Sequence, residues 1–198
     1  VVVSPVAEFD INEHEVLSTS QAFDGRVVKV FVDEVRLPDG RVATWERVAH
    51  PGAVGMVPLT EDGEIVMVRQ YRHAVRGVLL EIPAGKLDPD EAPEHTAMRE
   101  LGEEIGMKAA ELIPLAEFYN SPGYSDEKFY LYLARGLSPG SGEPEPDEFL
   151  QVVKVPLIGA TELISDGRIR DAKSIIGITL ARSFLAGDSG PFTGGATP

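Results

Sequence analysis

The chain contains no cysteine among its 198 residues. Disulfide frameworks and thiolate chemistry are therefore excluded, and a cytoplasmic location is the default expectation. Basic residues are scarce: 18 Lys and Arg stand against 32 Asp and Glu, a formal net charge of −14. Phosphate backbones are gripped by basic surfaces, so no nucleic acid is expected as a bulk partner. A small phosphorylated ligand stays compatible, because a local site or bound cations override the global field. No apolar run approaches bilayer-spanning length, so no membrane partner is expected. The opening stretch VVVSPVAEFD has no basic segment followed by a long apolar one, and is not expected to act as a secretory leader. Tryptophan occurs once. The rest is ordinary for a globular protein: 43% apolar and 25% charged residues, on a length that fits one generous domain or a core domain with a small extension.

Along the chain, strand-like patterning begins at Arg26 with RVVKVFVDEVRL, turns at Pro38–Gly40, and resumes in RVATWERVAH. The residues before Arg26 are mixed and polar. AVGMVPL and EIVMVRQY flank TEDG and read as a second hairpin. VLLEIPAGK ends a short strand in a Pro-Gly loop. LIPLAEFY and KFYLYLAR read as strands separated by NSPGYSDE, and SPGSGEPEPDE as a loop before the strand FLQVVKVPL. TELISDG suggests a short helix, and residues 171–187 a core-facing one with apolar residues near i, i+3, i+4 and i+7. The expected fold class is α/β or α+β: a sandwich preceded by an N-terminal antiparallel β segment. Expected boundaries are an N-terminal segment at 1–50, a main domain at 51–187 and a disordered tail at 188–198.

The densest chemistry lies in GKLDPDEAPEHTAMRELGEEIGM, residues 85–107. Asp90 is the expected cap of a helix that tolerates Pro93 in its first turn and ends at Gly106. At 100° per residue, Glu100, Glu103 and Glu104 share one edge, next to an apolar stripe of Met98, Leu101 and Ile105. Arg99 lies four residues before Glu103, within ion-pair reach. Gly102 leaves room for backbone or a close neighbour. Like charges at this spacing repel by a few tenths of a kcal/mol per pair. No lysines interleave them, and a Pro-Ala-Gly-Lys loop leads into the helix with further oxygen donors. Hard divalent cations take such a donor set.

The spacing of Gly85, Glu91, Arg99-Glu100-Leu101, Glu103-Glu104 and Gly106-Met107 resembles the Nudix box at every defined position. The resemblance implies a hydrolase that splits a diphosphate joined to another moiety with Mg²⁺ (or Mn²⁺). It also implies a Nudix-like α/β/α sandwich with a mixed sheet. By the same resemblance, Glu100, Glu104 and the carbonyl of Ala84 are metal ligands. Glu103 joins them directly or through water, Arg99 orients Glu103, and Glu91 anchors the loop. Cations neutralise the diphosphate and activate water, and a carboxylate outside the cluster takes the water's proton. The acidic loop before FLQVV offers Glu145, Asp147 and Glu148. Glu148 is favoured as catalytic base and extra metal ligand, with Glu145 second; Glu103 and Arg99 complete the catalytic candidates.

NSPGYSDE, with HPGAVGMVPL, VRQYRHAV, LLEIPAGKLD and DGRIRDAKSIIGITLA, resembles the ADP-ribose pyrophosphatase branch of that family. That resemblance implies Arg72 on phosphate, Glu81 on the terminal ribose, Pro122 and Gly123 at the substrate, and Trp45 against the adenine. It also implies a homodimer with exchanged N-terminal sheets. The expected reaction is ADP-ribose plus water to AMP and ribose 5-phosphate. The alternatives are another nucleoside diphosphate sugar such as GDP-mannose, or a non-catalytic nucleotide-sensing module. The complete set of box glutamates favours catalysis over sensing.

Overall fold

The computed structural model describes residues 10, 13–142 and 149–194, and they form two units. One unit comprises residues up to His50 together with Ser121–Glu127; the other comprises Pro51–Asn120 and the chain from Lys128 onward.

The first unit is an antiparallel meander of β1 (Glu15–Asp24), β2 (Lys29–Arg36) and β3 (Val42–Ala49), in that order. Around Pro38–Gly40 the chain reverses as its composition dictates. Gly40 takes φ 84°, which favours glycine, and Leu37 donates to the Arg41 carbonyl at 2.8 Å. Strand β1 corrects the reading of this stretch as merely polar. All ten of its residues are exposed, so burial imposes no alternation. Register shifts at Val16/Ser18 and Gln21/Phe23 scramble what period-2 signal remains. The strand is held by its ladder and by Thr19 Oγ1 donating to Asp33 Oδ1 at 2.7 Å. The Ser121–Glu127 segment joins this unit through Asp126. One Asp126 oxygen accepts from the His50 amide at 2.8 Å, the other from Arg47 Nη1 at 3.0 Å.

The second unit holds two main sheets. In the first, β4 (Ala53–Pro58) lies between β7 (Ala84–Lys86) and β10 (Lys128–Arg135), with β9 (Glu111–Tyr119) beyond β10. The β4–β10 pairing is parallel and the others antiparallel, so the sheet is mixed. In the second, β5 (Glu64–Arg72) lies between β12 (Leu150–Pro156) and β6 (Gly77–Glu81). The short β8 (Met107–Lys108) and β11 (Ser138–Pro139) form a separate antiparallel pair.

The TEDG turn therefore does not close a hairpin. Every residue of β4 is buried, and both its edges are taken by β7 and β10. The chain turns at Thr60–Gly63, and β5 leaves for the other sheet after one bridge, Leu59 to Ile65.

Helix α1 (Pro93–Ile105) covers one face of these strands. Its Ala97, Leu101 and Ile105 pack with Val54, Met56, Val66, Val68 and Tyr132. On the opposite faces, Val57, Ile65, Met67, Leu131 and Leu133 pack with Ile178 and Ala181 of α3 (Ala172–Ala186). The alternation of β5 sends Val66 and Val68 to one core and Ile65 and Met67 to the other. This is an α/β/α sandwich. The short α2 (Ala160–Ser165) precedes α3, whose Gly177 lets the sheet approach. A Cβ there would sit 3.0 Å from Val57 and 3.1 Å from Ile82. None of the described helices is long and apolar enough to cross a membrane.

Asp90 does not cap α1. It sits at φ 63°, and the chain enters the helix at Ala92, without a side-chain cap, ahead of Pro93. Pro93 tolerates this position because its missing N–H had no helical partner to lose. Gly106 ends the helix at φ 66°, donating back to Gly102. Residues 188–194 form no helix or strand; Phe192 donates to the Pro114 carbonyl at 2.9 Å.

Candidate active site

Helix α1 presents its acids as the wheel predicts, but deeper. Glu100 is 9% exposed and Glu104 4%. Three local devices accommodate them. The Ala84 amide donates to Glu104 Oε2 at 2.9 Å. Gly85 supplies room: a Cβ there would overlap the Glu100 carboxylate. Arg99 sits among the others, its Nη1 donating to Glu100 Oε1 at 2.8 Å and to Glu103 Oε2 at 2.7 Å. The rest of the guanidinium reaches Glu91, with Nε at 3.4 Å and Nη2 at 3.3 Å, and the Lys86 carbonyl at 3.4 Å.

Burial works against the Arg99 charge. Hydrogen bonds to Glu91, Glu103 and Glu100 outweigh it, so the guanidinium is held above its ordinary pKa. Glu91 is pulled below the usual carboxylate value, first by the Thr96 hydroxyl and then by Arg99. Thr96 is fully buried and donates from Oγ1 to Glu91 Oε2 at 2.8 Å. Sequence reasoning missed it, although a hydroxyl five residues after Glu91, on the buried side of the helix, was the available signal.

Asp88, at 3.9 Å from Nη2, joins Glu91, Glu100 and Glu103 around the Arg99 guanidinium, a formal excess of three negative charges before Glu104 is added. The donors are all oxygen, two of the carboxylates are buried, and one of them, Glu100, sits in the space that Gly85 leaves by lacking a side chain. This chemistry fits a hard divalent cation. Among the described residues, no three His, Asp or Glu side chains already converge to hold one. Arg99 occupies Glu100 and Glu103, while Glu104 is engaged by the Ala84 amide.

A second polar cluster begins three residues before Ala84. Glu81 is 2% exposed, at the end of β6. Arg72 donates to its Oε2 from Nε at 2.8 Å, and Nη2 of the same guanidinium lies 2.8 Å from that oxygen. Lys173 Nζ lies 3.1 Å from the other oxygen, Oε1. Arg72 and Glu81, expected as separate substrate contacts, are thus ion-paired to each other. Lys173 was not foreseen. The segment between the clusters is also fixed: Ile82 donates to Ser174 Oγ at 2.8 Å, and Met56 to the Pro83 carbonyl at 3.0 Å.

Trp45, Pro122 and Gly123 belong to the first unit, the acid cluster and Arg72–Glu81 to the second. Trp45 is 47% exposed on β3, with the His14 ring 5.5 Å away and tilted by 36°. Pro122 and Gly123 lie in a turn where Tyr124 donates to the Ser121 carbonyl. Glu145, Asp147 and Glu148 lie outside the described residues. The chain that leads to them packs on α1: a Cβ on Gly102 would lie 2.7 Å from the Ser141 carbonyl oxygen, and one on Gly142 2.5 Å from the Gly102 carbonyl carbon.

Residues 49–175 match the NUDIX domain description. The chain is 40% identical over 168 residues to a Bacillus subtilis protein named ADP-ribose pyrophosphatase, covering 84% of this chain and 91% of that one. It is 42% identical over 168 residues to a Bacillus methanolicus protein named Methanol dehydrogenase activator, with the same coverage. A solved structure titled as that of an ADP compounds hydrolase superposes with a TM-score of 0.83 at 26% identity, covering 92% of this chain and 99% of that one.

Proposed function

The chain belongs to the NUDIX domain family and is a Nudix hydrolase, and from that premise we propose that it hydrolyses ADP-ribose to AMP and ribose 5-phosphate with Mg²⁺ (or Mn²⁺). The observation that carries the reading is the complete acid set of α1, partly buried around one arginine with its charge in excess. The resemblance of most of the chain to a protein named ADP-ribose pyrophosphatase supports the choice of substrate.

Glu100, Glu104, Glu103 and the Ala84 carbonyl would hold the cation. When bound, it supplies charge neutralisation on the diphosphate and acidifies water. Arg99 keeps Glu100 and Glu103 from splaying while the site is formed. Arg72 binds a diphosphate oxygen, and the Glu81 Oε2 that it releases in doing so accepts from the terminal ribose hydroxyls. Trp45 offers its exposed face to the adenine, and Pro122 and Gly123 border the substrate. In the reaction the water oxygen bonds to one phosphorus as the bridging P–O bond breaks. One water proton passes to a carboxylate, Glu148 or else Glu145, and the leaving phosphate departs as an anion.

The protein works in the cytoplasm as a homodimer joined through the three-stranded sheet. Exposed Val16, Phe23, Val42 and Trp45 on that sheet supply apolar area for such a contact. Its partner is a small nucleoside diphosphate sugar rather than a nucleic acid, in keeping with the net charge of −14.

The test is a panel of nucleoside diphosphate derivatives with Mg²⁺, followed by product identification. The reading expects AMP from ADP-ribose far faster than GMP from GDP-mannose. The reverse order would move the substrate to GDP-mannose, and no release from any compound would favour a sensing module.

A further inference from the structure

Glu81 is a buried carboxylate with both oxygens committed to cations. Oε2 takes Nε of Arg72 and Oε1 faces Nζ of Lys173 at 3.1 Å. Lys173 is itself fixed. Its Nζ donates to Asp171 Oδ2 at 3.0 Å, and the same oxygen caps α3 by accepting from the Ser174 amide at 2.9 Å. The next residue pair, Ile82 and Ser174, is also bonded. The first turn of α3 is therefore joined to the end of β6 by two adjacent links. Arg72, by contrast, is 39% exposed in its side chain, and its Nη1 has no partner among the described residues. One of the two cations on Glu81 is rigid and mostly buried; the other borders solvent.

We propose that Lys173 is a positioning residue that keeps Glu81 charge-compensated so that Arg72 can be shared with, or drawn off by, an anionic diphosphate. The inference rests on the reading of Arg72 as a phosphate contact. Pulling the only cation from a buried carboxylate is strongly unfavourable, because the charge is left desolvated and unpaired. With Lys173 in place, Glu81 retains a counter-ion when Arg72 engages substrate. Without it, Arg72 is bound to Glu81 by necessity, and binding weakens with little change in the chemical step. Asp171 completes an alternating row, Asp171–Lys173–Glu81–Arg72, whose formal charges cancel.

The experiment measures KM and kcat for ADP-ribose in the wild type, Lys173→Met, Lys173→Arg, Glu81→Gln and the double variant Lys173→Met/Glu81→Gln. Lys173→Met is expected to raise KM by about tenfold or more, with kcat within about threefold. Lys173→Arg is expected to return KM to within about threefold of wild type. Once Glu81 is neutral there is nothing to compensate, so the double variant should differ from Glu81→Gln by less than about twofold. An unchanged KM in folded Lys173→Met, or the same rise in both backgrounds, overturns the proposal. If Lys173→Met does not fold, Lys173→Gln takes its place in both backgrounds: a KM rise of about tenfold or more with Glu81 present and less than about twofold in the Glu81→Gln background supports the proposal, and no rise, or the same rise in both, overturns it. A wild type that leaves ADP-ribose intact refutes the substrate reading instead. Calorimetric binding of inorganic diphosphate to the same variants then tests Lys173: the same order of affinities supports its role, and equal affinities refute it.

Discussion

Glu104→Gln should make the metal-stripped protein more stable and the enzyme almost inactive. Glu104 and Glu100 are one turn apart on α1, and helical neighbours at that spacing lie about 5–6 Å apart at Cβ. At an effective dielectric constant of about 20, two unit charges at that separation repel by roughly 3 kcal/mol. Arg99, which bonds both Glu100 and Glu103, cancels part of this. The amide of glutamine still accepts from the Ala84 N–H, but as a neutral acceptor. That weakening costs about 1 kcal/mol. The balance is a gain of about 1 kcal/mol for the variant without divalent ions, a rise in Tm of roughly 2–4 °C. Added Mg²⁺ should invert the order. Wild type gains about 2.7 kcal/mol at a hundredfold excess over Kd, and the variant gains much less. Turnover of ADP-ribose should fall by at least about 10². Thermal denaturation with and without Mg²⁺, alongside a turnover assay, reads all three quantities. A variant that is less stable without metal, or that keeps wild-type turnover, would refute the argument that repulsion is tolerated here for the sake of a cation.

Gly85→Ala drives its methyl group into the Glu100 carboxylate; unfolding should show a loss of about 1–3 kcal/mol, and turnover a loss of about 10² from the displaced ligand. Thr96→Val removes the hydroxyl that most depresses the Glu91 pKa. A depressed carboxylate stabilises above its unfolded value, ordinarily 4.5, and the benefit is lost as pH falls through the folded value. Urea midpoints of wild type and Thr96→Val should therefore differ at pH 7 and converge in acid; a constant gap would contradict this. Tyr132 donates to Glu94 Oε1 at 3.1 Å, and burial, then the Glu94 charge, push its pKa up, so it stays a neutral phenol. Tyr132→Phe should cost about 1 kcal/mol in denaturant and leave turnover unchanged.

The acid set and most elements were legible because they depend on short spacings. Glu100, Glu103 and Glu104 fall on one edge by helical geometry alone, and Gly106 and Gly187 mark helix ends where the structure has left-handed glycines. Several features were not legible. Strand β1 carries no burial signal, since it is exposed along its whole length. The turn after β4 joins strands of two different sheets because β4 has both edges filled, a fact of topology rather than of local sequence. Asp90 has the chemistry of a cap, yet its left-handed backbone places it outside the helix start. Lys173 meets Glu81 across most of the domain, as Ser174 meets Ile82 at a separation of 92 residues. No periodicity predicts such a pairing.

The central claim is that the acids of α1 work through a divalent cation on a diphosphate. Its most direct measurement is ADP-ribose hydrolysis by the wild type before chelation, after stripping, and after Mg²⁺ is returned. The account predicts AMP and ribose 5-phosphate in equal amounts at first, none after stripping, and full recovery with Mg²⁺. Undiminished hydrolysis by the stripped protein would contradict it.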